Sequence, residues 1–64
     1  MTIKAVSESR YNGGAAIKRK YGSSTVTRFY VWDEKTPNDT KLIEGFGPTP
    51  GDRKTDAIRR FEGK

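Results

Sequence analysis

The segment TVTRFYVWD, residues 25–33, constrains the fold of this chain more than any other stretch. It is rich in β-branched and aromatic residues, which favour strands, and the side chains of a strand alternate between its two faces. One face therefore carries Thr27, Phe29 and Val31, which suit a small core. The other face carries Val26 and combines an arginine, Arg28, with two large aromatic residues, Tyr30 and Trp32.

The chain has 64 residues, a net charge of +5, and neither cysteine nor histidine. We expect one domain, which at this size buries only about 60% of the surface exposed by the unfolded chain, so a homodimer would help to bury more. Aromatic residues make up 11% of the chain, which favours a thin core over disorder. Without thiols or imidazoles, a disulfide is excluded and a zinc site is disfavoured.

The apolar runs are too short for a membrane span or a signal peptide. We therefore expect a cytoplasmic protein, in its own cell or in the cytoplasm of a virus-infected host.

Turn signals divide the chain into strands followed by a helix. Residues 2–11 carry a weak alternation that predicts an N-terminal strand. Asn12-Gly13 is a strong hairpin signal, because a type I′ turn needs positive φ at both central residues, so residues 15–21 are predicted to return as a strand. A turn around Pro37 separates the strand at 25–33 from a further strand that ends at Gly47. The main sheet is therefore predicted to span residues 15–47.

The clearest local signal is the start of a helix over residues 50–62. Thr49 is a suitable N-cap, and Pro50 suits the first helical position because the N–H that it lacks has no partner there. Asp52 completes a capping box with Thr49. The predicted helix has an inward apolar stripe and an outward charged side: Ala57, Ile58 and Phe61 inward, and Arg53, Asp56 and Arg60 outward.

These elements predict an α+β fold for residues 1–64, with a small antiparallel meander of three or four strands and one C-terminal α-helix packed on a sheet face. Over Ala15 to Glu62, the order of the elements, the charge and the placement of turns resemble small sheet-reading DNA modules, such as the arm-binding domain of tyrosine-type integrases. The resemblance implies a three-stranded sheet that enters the major groove, with the C-terminal helix behind it.

Basic residues are concentrated in short runs, of which Lys18-Arg19-Lys20 is the densest. Lysine and arginine neutralise phosphates and release counterions, while aromatic side chains stack on bases. We therefore predict a non-catalytic accessory or regulatory protein, of viral or mobile-element origin, that binds DNA or RNA. The predicted contact residues come from the strands of the sheet: Lys18, Arg19, Lys20, Arg28, Tyr30, Trp32 and Lys41.

Other interpretations of the same residues are open at the level of sequence. The run from Lys18 to Lys20 is equally compatible with a solvated edge strand that prevents aggregation. Tyr30 and Trp32 are equally suited to the core, in which case Phe29 and Val31 would point outward or into an oligomer. The alternative function is a protein-interaction module, an inhibitor or adaptor that docks on a larger acidic protein, because Trp, Tyr and Arg are typical of interface hot spots.

Catalysis is not expected of this chain. Asp33, Glu34 and Asp39 can approach one another around a turn, as a general-acid pair or a Mg²⁺ site would require, but acidic residues at such a position are typical of a solvated turn. The glycine-containing segments at 12–14 and 45–47 lack the lysine and the spacing of a phosphate-binding loop. We predict no enzymatic activity, no cofactor and no metal.

Overall fold

A computed structural model describes residues 2–63 of the chain. Its three strands form one antiparallel sheet with the second strand in the centre. The α+β fold and the C-terminal helix predicted from the sequence are confirmed. The elements in chain order are β1 (Ile3–Asn12), α1 (Ala15–Tyr21), β2 (Thr25–Asp33), a 3₁₀ turn (Pro37–Asp39), β3 (Lys41–Phe46) and α2 (Pro50–Gly63).

The N-terminal strand β1 pairs directly with the central strand β2. The register runs from Ile3 opposite Asp33 to Asn12 opposite Thr25, with a bulge between Ser7 and Ser9. On its other side β2 pairs with β3, as the turn around Pro37 predicted. The sheet therefore begins at Ile3. The predicted main sheet, in contrast, began only at residue 15.

The strand predicted at residues 15–21 is wrong, because this segment is helix α1. Ile17 and Tyr21 fit a strand of period two, but they are also four residues apart and so lie on one face of a helix. The alanines, lysines and arginine around them are strong helix formers. The helix ends at Gly22, whose left-handed φ of 89° lets its N–H donate to the carbonyl of Lys18 at 2.8 Å.

The predicted Asn12-Gly13 hairpin is also wrong, because the chain turns from β1 into α1 there. Asn12 Oδ1 accepts a hydrogen bond of 2.8 Å from the N–H of Gly14. A Cβ atom added at Gly13 would lie 2.8 Å from Val26 Cγ2 and 2.9 Å from Ile17 Cγ1. Glycine is needed at this position because α1 and β2 approach it closely. A hairpin turn would favour glycine as well, so the residue type alone does not distinguish the two structures.

Helix α2 begins at Pro50, as the sequence predicts, but within residues 2–63 no hydrogen bond from the N–H of Thr49 to the Asp52 carboxylate completes the predicted capping box. Thr49 Oγ1 accepts a hydrogen bond of 3.1 Å from the N–H of Asp52, which is the expected N-cap. The helix covers the sheet face that carries Phe29 and Val31, and these residues form the buried centre of the core with Ala57 of α2. The sequence left open which face of β2 the helix covers, and the structure shows that it is the face of Phe29 and Val31 and not that of Tyr30 and Trp32. Partly buried apolar residues surround this centre: Ile3, Ala5, Ile43, Ile58 and Phe61.

Of the three charged residues of α2 predicted to project outward, Arg53 is buried and Asp56 is partly buried, while Arg60 is exposed. Arg53 is only 5% exposed and donates a hydrogen bond of 3.0 Å from Nε to Thr27 Oγ1. Asp56 Oδ2 accepts hydrogen bonds from the backbone N–H of Phe46 at 2.9 Å and from Arg60 Nε at 2.8 Å. A helix that lies on a sheet contacts it over more than a narrow apolar stripe, so polar residues beside the stripe are drawn into the interface.

Candidate nucleic-acid interface

The sheet face opposite α2 carries Arg28, Tyr30 and Trp32. Because α2 packs on Phe29 and Val31, their neighbours in β2 point to the other side of the sheet. Side chains directly opposite in paired strands share a face, which adds residues of β1 and β3 to this surface. We call it the open face and define it by these residues: Lys4, Val6, Tyr11, Arg28, Tyr30, Trp32, Leu42 and Glu44.

An apolar row crosses the middle of the open face. Tyr30 lies opposite Val6 of β1 and opposite Leu42 of β3. Their exposed fractions are 43%, 50% and 52%, which is high for large apolar side chains. Trp32, two residues further along β2, is partly buried. The row therefore offers a solvent-accessible apolar surface that extends across the three strands of the sheet.

Arg28 is held in place by two neighbours on the open face. Its guanidinium carbon lies 4.9 Å from the centroid of the Tyr11 ring, and its Nε lies 3.8 Å from Glu44 Oε2. The hydroxyl of Tyr11 donates a hydrogen bond of 2.6 Å to the same Glu44 oxygen. This hydrogen bond raises the pKa of Tyr11, since it stabilises the protonated phenol. Arg28 remains exposed, so it is oriented by these contacts and still accessible to a ligand.

Helix α1 lies at one end of the open face. The Tyr21 ring stacks on the ring of Phe46, with centroids 4.9 Å apart and an interplanar angle of 26°. Phe46 pairs with Val26, which is fully buried although it belongs to the uncovered side of β2. The exposed basic residues of α1 are therefore brought to the end of the open face: Lys18, Arg19 and Lys20.

The C-terminal half of α2 contacts the Phe46 end of β3. Arg60 places its guanidinium carbon 4.8 Å from the centroid of the Phe46 ring and donates a hydrogen bond of 3.3 Å from Nη2 to the hydroxyl of Tyr21. Its hydrogen bond to Asp56 raises the pKa of Arg60. Residues of α1, β3 and α2 thus meet in one contact, which fixes the position of α1 beside the sheet.

The structure divides the predicted contact residues into three groups. Arg28, Tyr30 and Trp32 lie together on the open face. The run from Lys18 to Lys20 does not lie on a strand next to Arg28, as predicted, but on α1. Lys41 is opposite Val31 in the register, so it belongs to the side of the sheet on which α2 packs and not to the open face.

Sequence reasoning missed the contribution of β1 and β3 to this surface. Lys4 and Val6 belong to the weakly alternating segment 2–11, which the predicted Asn12-Gly13 hairpin paired with residues 15–21 and not with β2. Once β1 pairs with β2, Val6 lies opposite Tyr30 and Lys4 lies opposite Trp32. The alternation of residues 3–6 was the signal that could have identified them.

Comparison with known proteins gives no assignment, since no family model, curated protein or solved structure matches the chain. Within residues 2–63, no helix combines the length and the apolar character needed to cross a membrane. No group of three or more acidic residues in this part of the chain is arranged to hold a metal ion. Asp33, one of the acidic residues considered for such a site, instead accepts a hydrogen bond of 2.9 Å from the N–H of Lys35.

Proposed function

We propose that this protein binds nucleic acid through the open face and catalyses no reaction. The observation that carries the proposal is the position of Arg28, Tyr30 and Trp32 on the sheet face that α2 leaves uncovered. A net charge of +5 attracts the phosphate backbone over a long range. Stacking of a base on an aromatic side chain contributes about 1–3 kcal/mol.

The geometry of the open face supports two kinds of contact. The apolar row of Val6, Tyr30 and Leu42 offers exposed apolar surface to bases, and Arg28 offers paired hydrogen-bond donors of the kind that recognise guanine. The exposed cations of α1 at the end of this face suit contacts with phosphates. The ligand is DNA or RNA: a sheet can enter the major groove of a duplex, and exposed aromatics can bind single strands.

The biological setting is part of the same proposal. The protein would act as an accessory or regulatory factor of a virus or mobile element. The proposed location is the cytoplasm, either of its own cell or of an infected host.

The test measures binding of labelled single-stranded and duplex oligonucleotides by fluorescence anisotropy over a series of salt concentrations. We expect the affinity of the parent protein to fall steeply as salt rises. Tyr30→Ala is expected to weaken binding by about 5- to 150-fold through lost stacking, and Arg28→Ala is expected to weaken it as well. Circular dichroism checks that each variant is folded.

The matched control is Lys41→Ala, which removes one positive charge from the side of the sheet that α2 covers. It is expected to bind nearly as tightly as the parent. If Lys41→Ala and Arg28→Ala weaken binding equally, only the net charge matters and the open face is not the binding surface. Parent-like affinity in both Tyr30→Ala and Arg28→Ala would also contradict the proposal.

The apolar row favours a second candidate function, docking on a larger acidic protein. Large exposed apolar patches mark interaction sites, and Tyr, Trp and Arg are enriched among hot-spot residues. The two functions differ in their response to salt, because apolar docking resists salt whereas phosphate binding does not. Recovery of one protein in stoichiometric amount after nuclease treatment in high salt, and its loss in Leu42→Asp, would favour docking.

A further inference from the structure

A groove on the other side of the sheet is lined by basic residues. It lies between β1 and the first turn of α2, and we call it the α2 groove. Its floor includes Thr27 and Phe29 of β2, so it opens on the side away from the open face. The residues of interest on its walls are Ser7, Glu8, Arg10, Gly51, Arg53 and Lys54.

Arg53 is a buried cation whose hydrogen-bond partners are both neutral. Its Nε donates to Thr27 Oγ1 at 3.0 Å and its Nη1 donates to the carbonyl of Gly47 at 2.9 Å. Within residues 2–63, no carboxylate lies within the 4.0 Å of an ion pair from this guanidinium, which is 5% exposed. A buried charge without a counter-charge is unfavourable.

Two further cations line the same groove. Arg10 lies opposite Thr27 in the register of β1 and β2, so it is adjacent to the residue that accepts the hydrogen bond from Arg53. Lys54 follows Arg53 in the first turns of α2. One carboxylate is also present, that of Glu8, which accepts a hydrogen bond from Ser9 Oγ at 2.5 Å. The cations therefore outnumber the anion around one cavity.

The backbone of α2 adds one donor at the same place, the N–H of Gly51. The first N–H groups of a helix have no partner within the helix, and together with the helix dipole they favour an anion. Thr49 satisfies the N–H groups of Asp52 and Arg53. At Gly51 no side chain shields the backbone, and an added Cβ would have Thr49 Oγ1, 4.0 Å away, as its nearest neighbour.

We propose that the α2 groove binds a phosphate group. Arg53 supplies a fixed positive charge at the base of the groove, while the exposed Arg10 and Lys54 close on the phosphate oxygens from the two walls. Several donors around one site suit a group with several acceptor oxygens. Inorganic phosphate and the phosphodiester of a nucleic acid share this chemistry. The proposal does not rest on the open face, because the groove lies on the opposite side of the sheet.

The test follows backbone amide and arginine Nε signals by NMR during two titrations at constant ionic strength, with chloride as the background anion. One titration uses inorganic phosphate and the other a short oligonucleotide. We expect saturable shifts at Gly51 and Arg53 in at least one titration, and the titration that produces them identifies the source of the phosphate. Arg10→Ala and Lys54→Ala are each expected to weaken this binding by about tenfold, as for one lost charged hydrogen bond.

Arg59→Ala is the matched control, since Arg59 is an exposed cation of the same helix that does not line the groove. Its binding should equal that of the parent. The proposal is overturned if neither titration gives saturable shifts at the groove. It is equally overturned if Arg59→Ala weakens binding as much as Lys54→Ala, since the effect would then be one of net charge.

Discussion

Arg53 Nε donates a hydrogen bond of 3.0 Å to Thr27 Oγ1, and this contact joins the first turns of α2 to the middle of the sheet. Both residues are buried, with exposed fractions of 5% and 4%. A second hydrogen bond, from Arg53 Nη1 to the carbonyl of Gly47, attaches the loop before the helix. The position of α2 is therefore set by a polar contact at its beginning and by the apolar contacts of Ala57, Ile58 and Phe61 further on.

Replacing Arg53 by lysine is expected to destabilise the protein. An ammonium group cannot reproduce the fork of donors that reaches Thr27 and Gly47 at once, so at least one buried group loses its partner. The expected loss in the free energy of unfolding is about 1–3 kcal/mol, measured by urea denaturation. Arg59→Lys is the control and should change it by less than about 0.5 kcal/mol. Equal stability of the two variants would mean that the Arg53 contacts contribute nothing.

Gly45→Ala is expected to separate α2 from β3. A Cβ atom at residue 45 would overlap the carbonyl oxygen of Arg53, and because that atom belongs to the helix backbone, the whole helix would have to move. Overpacking of this kind costs about 1–3 kcal/mol or more, which is large for so small a core. Thermal unfolding followed by circular dichroism should show a much lower midpoint or no folded state.

Gly51→Ala is the opposite case and serves as the control for Gly45→Ala. Residue 51 lies in α2 with open space around an added Cβ. Alanine should therefore stabilise the helix by up to about 1 kcal/mol. If Gly45→Ala proved as stable as Gly51→Ala, the close approach of α2 to β3 at this point would be wrong.

The sequence predicted the elements whose local signals and packing agree. Helix α2 has a capping residue, Thr49, and an apolar stripe, and the strand at residues 25–33 has one apolar face that the helix covers. Helix α1 was missed because Ile17 and Tyr21 satisfy the period of a strand and the period of a helix at once. The neighbouring residues distinguish the two only through helix propensity.

Only those features of the candidate site that depend on a local pattern could be predicted from the sequence. The grouping of Arg28, Tyr30 and Trp32 follows from alternation within one strand, and alternation is a local property. The assignment of Lys41 to the same surface required the register between β2 and β3, which depends on the length and shape of the turn at Pro37–Asp39. The burial of Arg53 depends on how closely α2 approaches the sheet, which the helix pattern alone does not indicate.

The contact between Tyr21 and Phe46 is expected to hold α1 against the sheet. Tyr21→Ala removes the stacked ring, and stacked pairs contribute about 0.5–1.5 kcal/mol beyond the area that they bury. Hydrogen exchange should become faster for the amides of α1 while those of β2 change less. Tyr21→Phe keeps the ring and loses only the hydroxyl that Arg60 contacts at 3.3 Å, so its exchange should resemble that of the parent. Unchanged exchange in α1 of Tyr21→Ala would contradict this role.

The pKa of Tyr11 is expected to respond to Glu44. The hydrogen bond to Glu44 raises this pKa most, partial burial and the negative charge of Glu44 raise it further, and Arg28 lowers it. Since the pKa is higher in the folded than in the unfolded state, the contribution of Tyr11 to stability is present below the unfolded value of about 10 and is lost as pH rises through the folded value. Stability should therefore decline in this alkaline range.

Titration of the tyrosine Cζ signals by NMR measures this effect directly. In Glu44→Gln the carboxylate charge is lost, so the pKa of Tyr11 should fall towards its ordinary value, and the alkaline decline in stability should become smaller. Glu34→Gln removes an exposed carboxylate that pairs with Lys4 instead, and it should leave the titration of Tyr11 as in the parent. A Tyr11 that titrates identically in Glu44→Gln and in the parent would show that the hydrogen bond to Glu44 does not control this phenol.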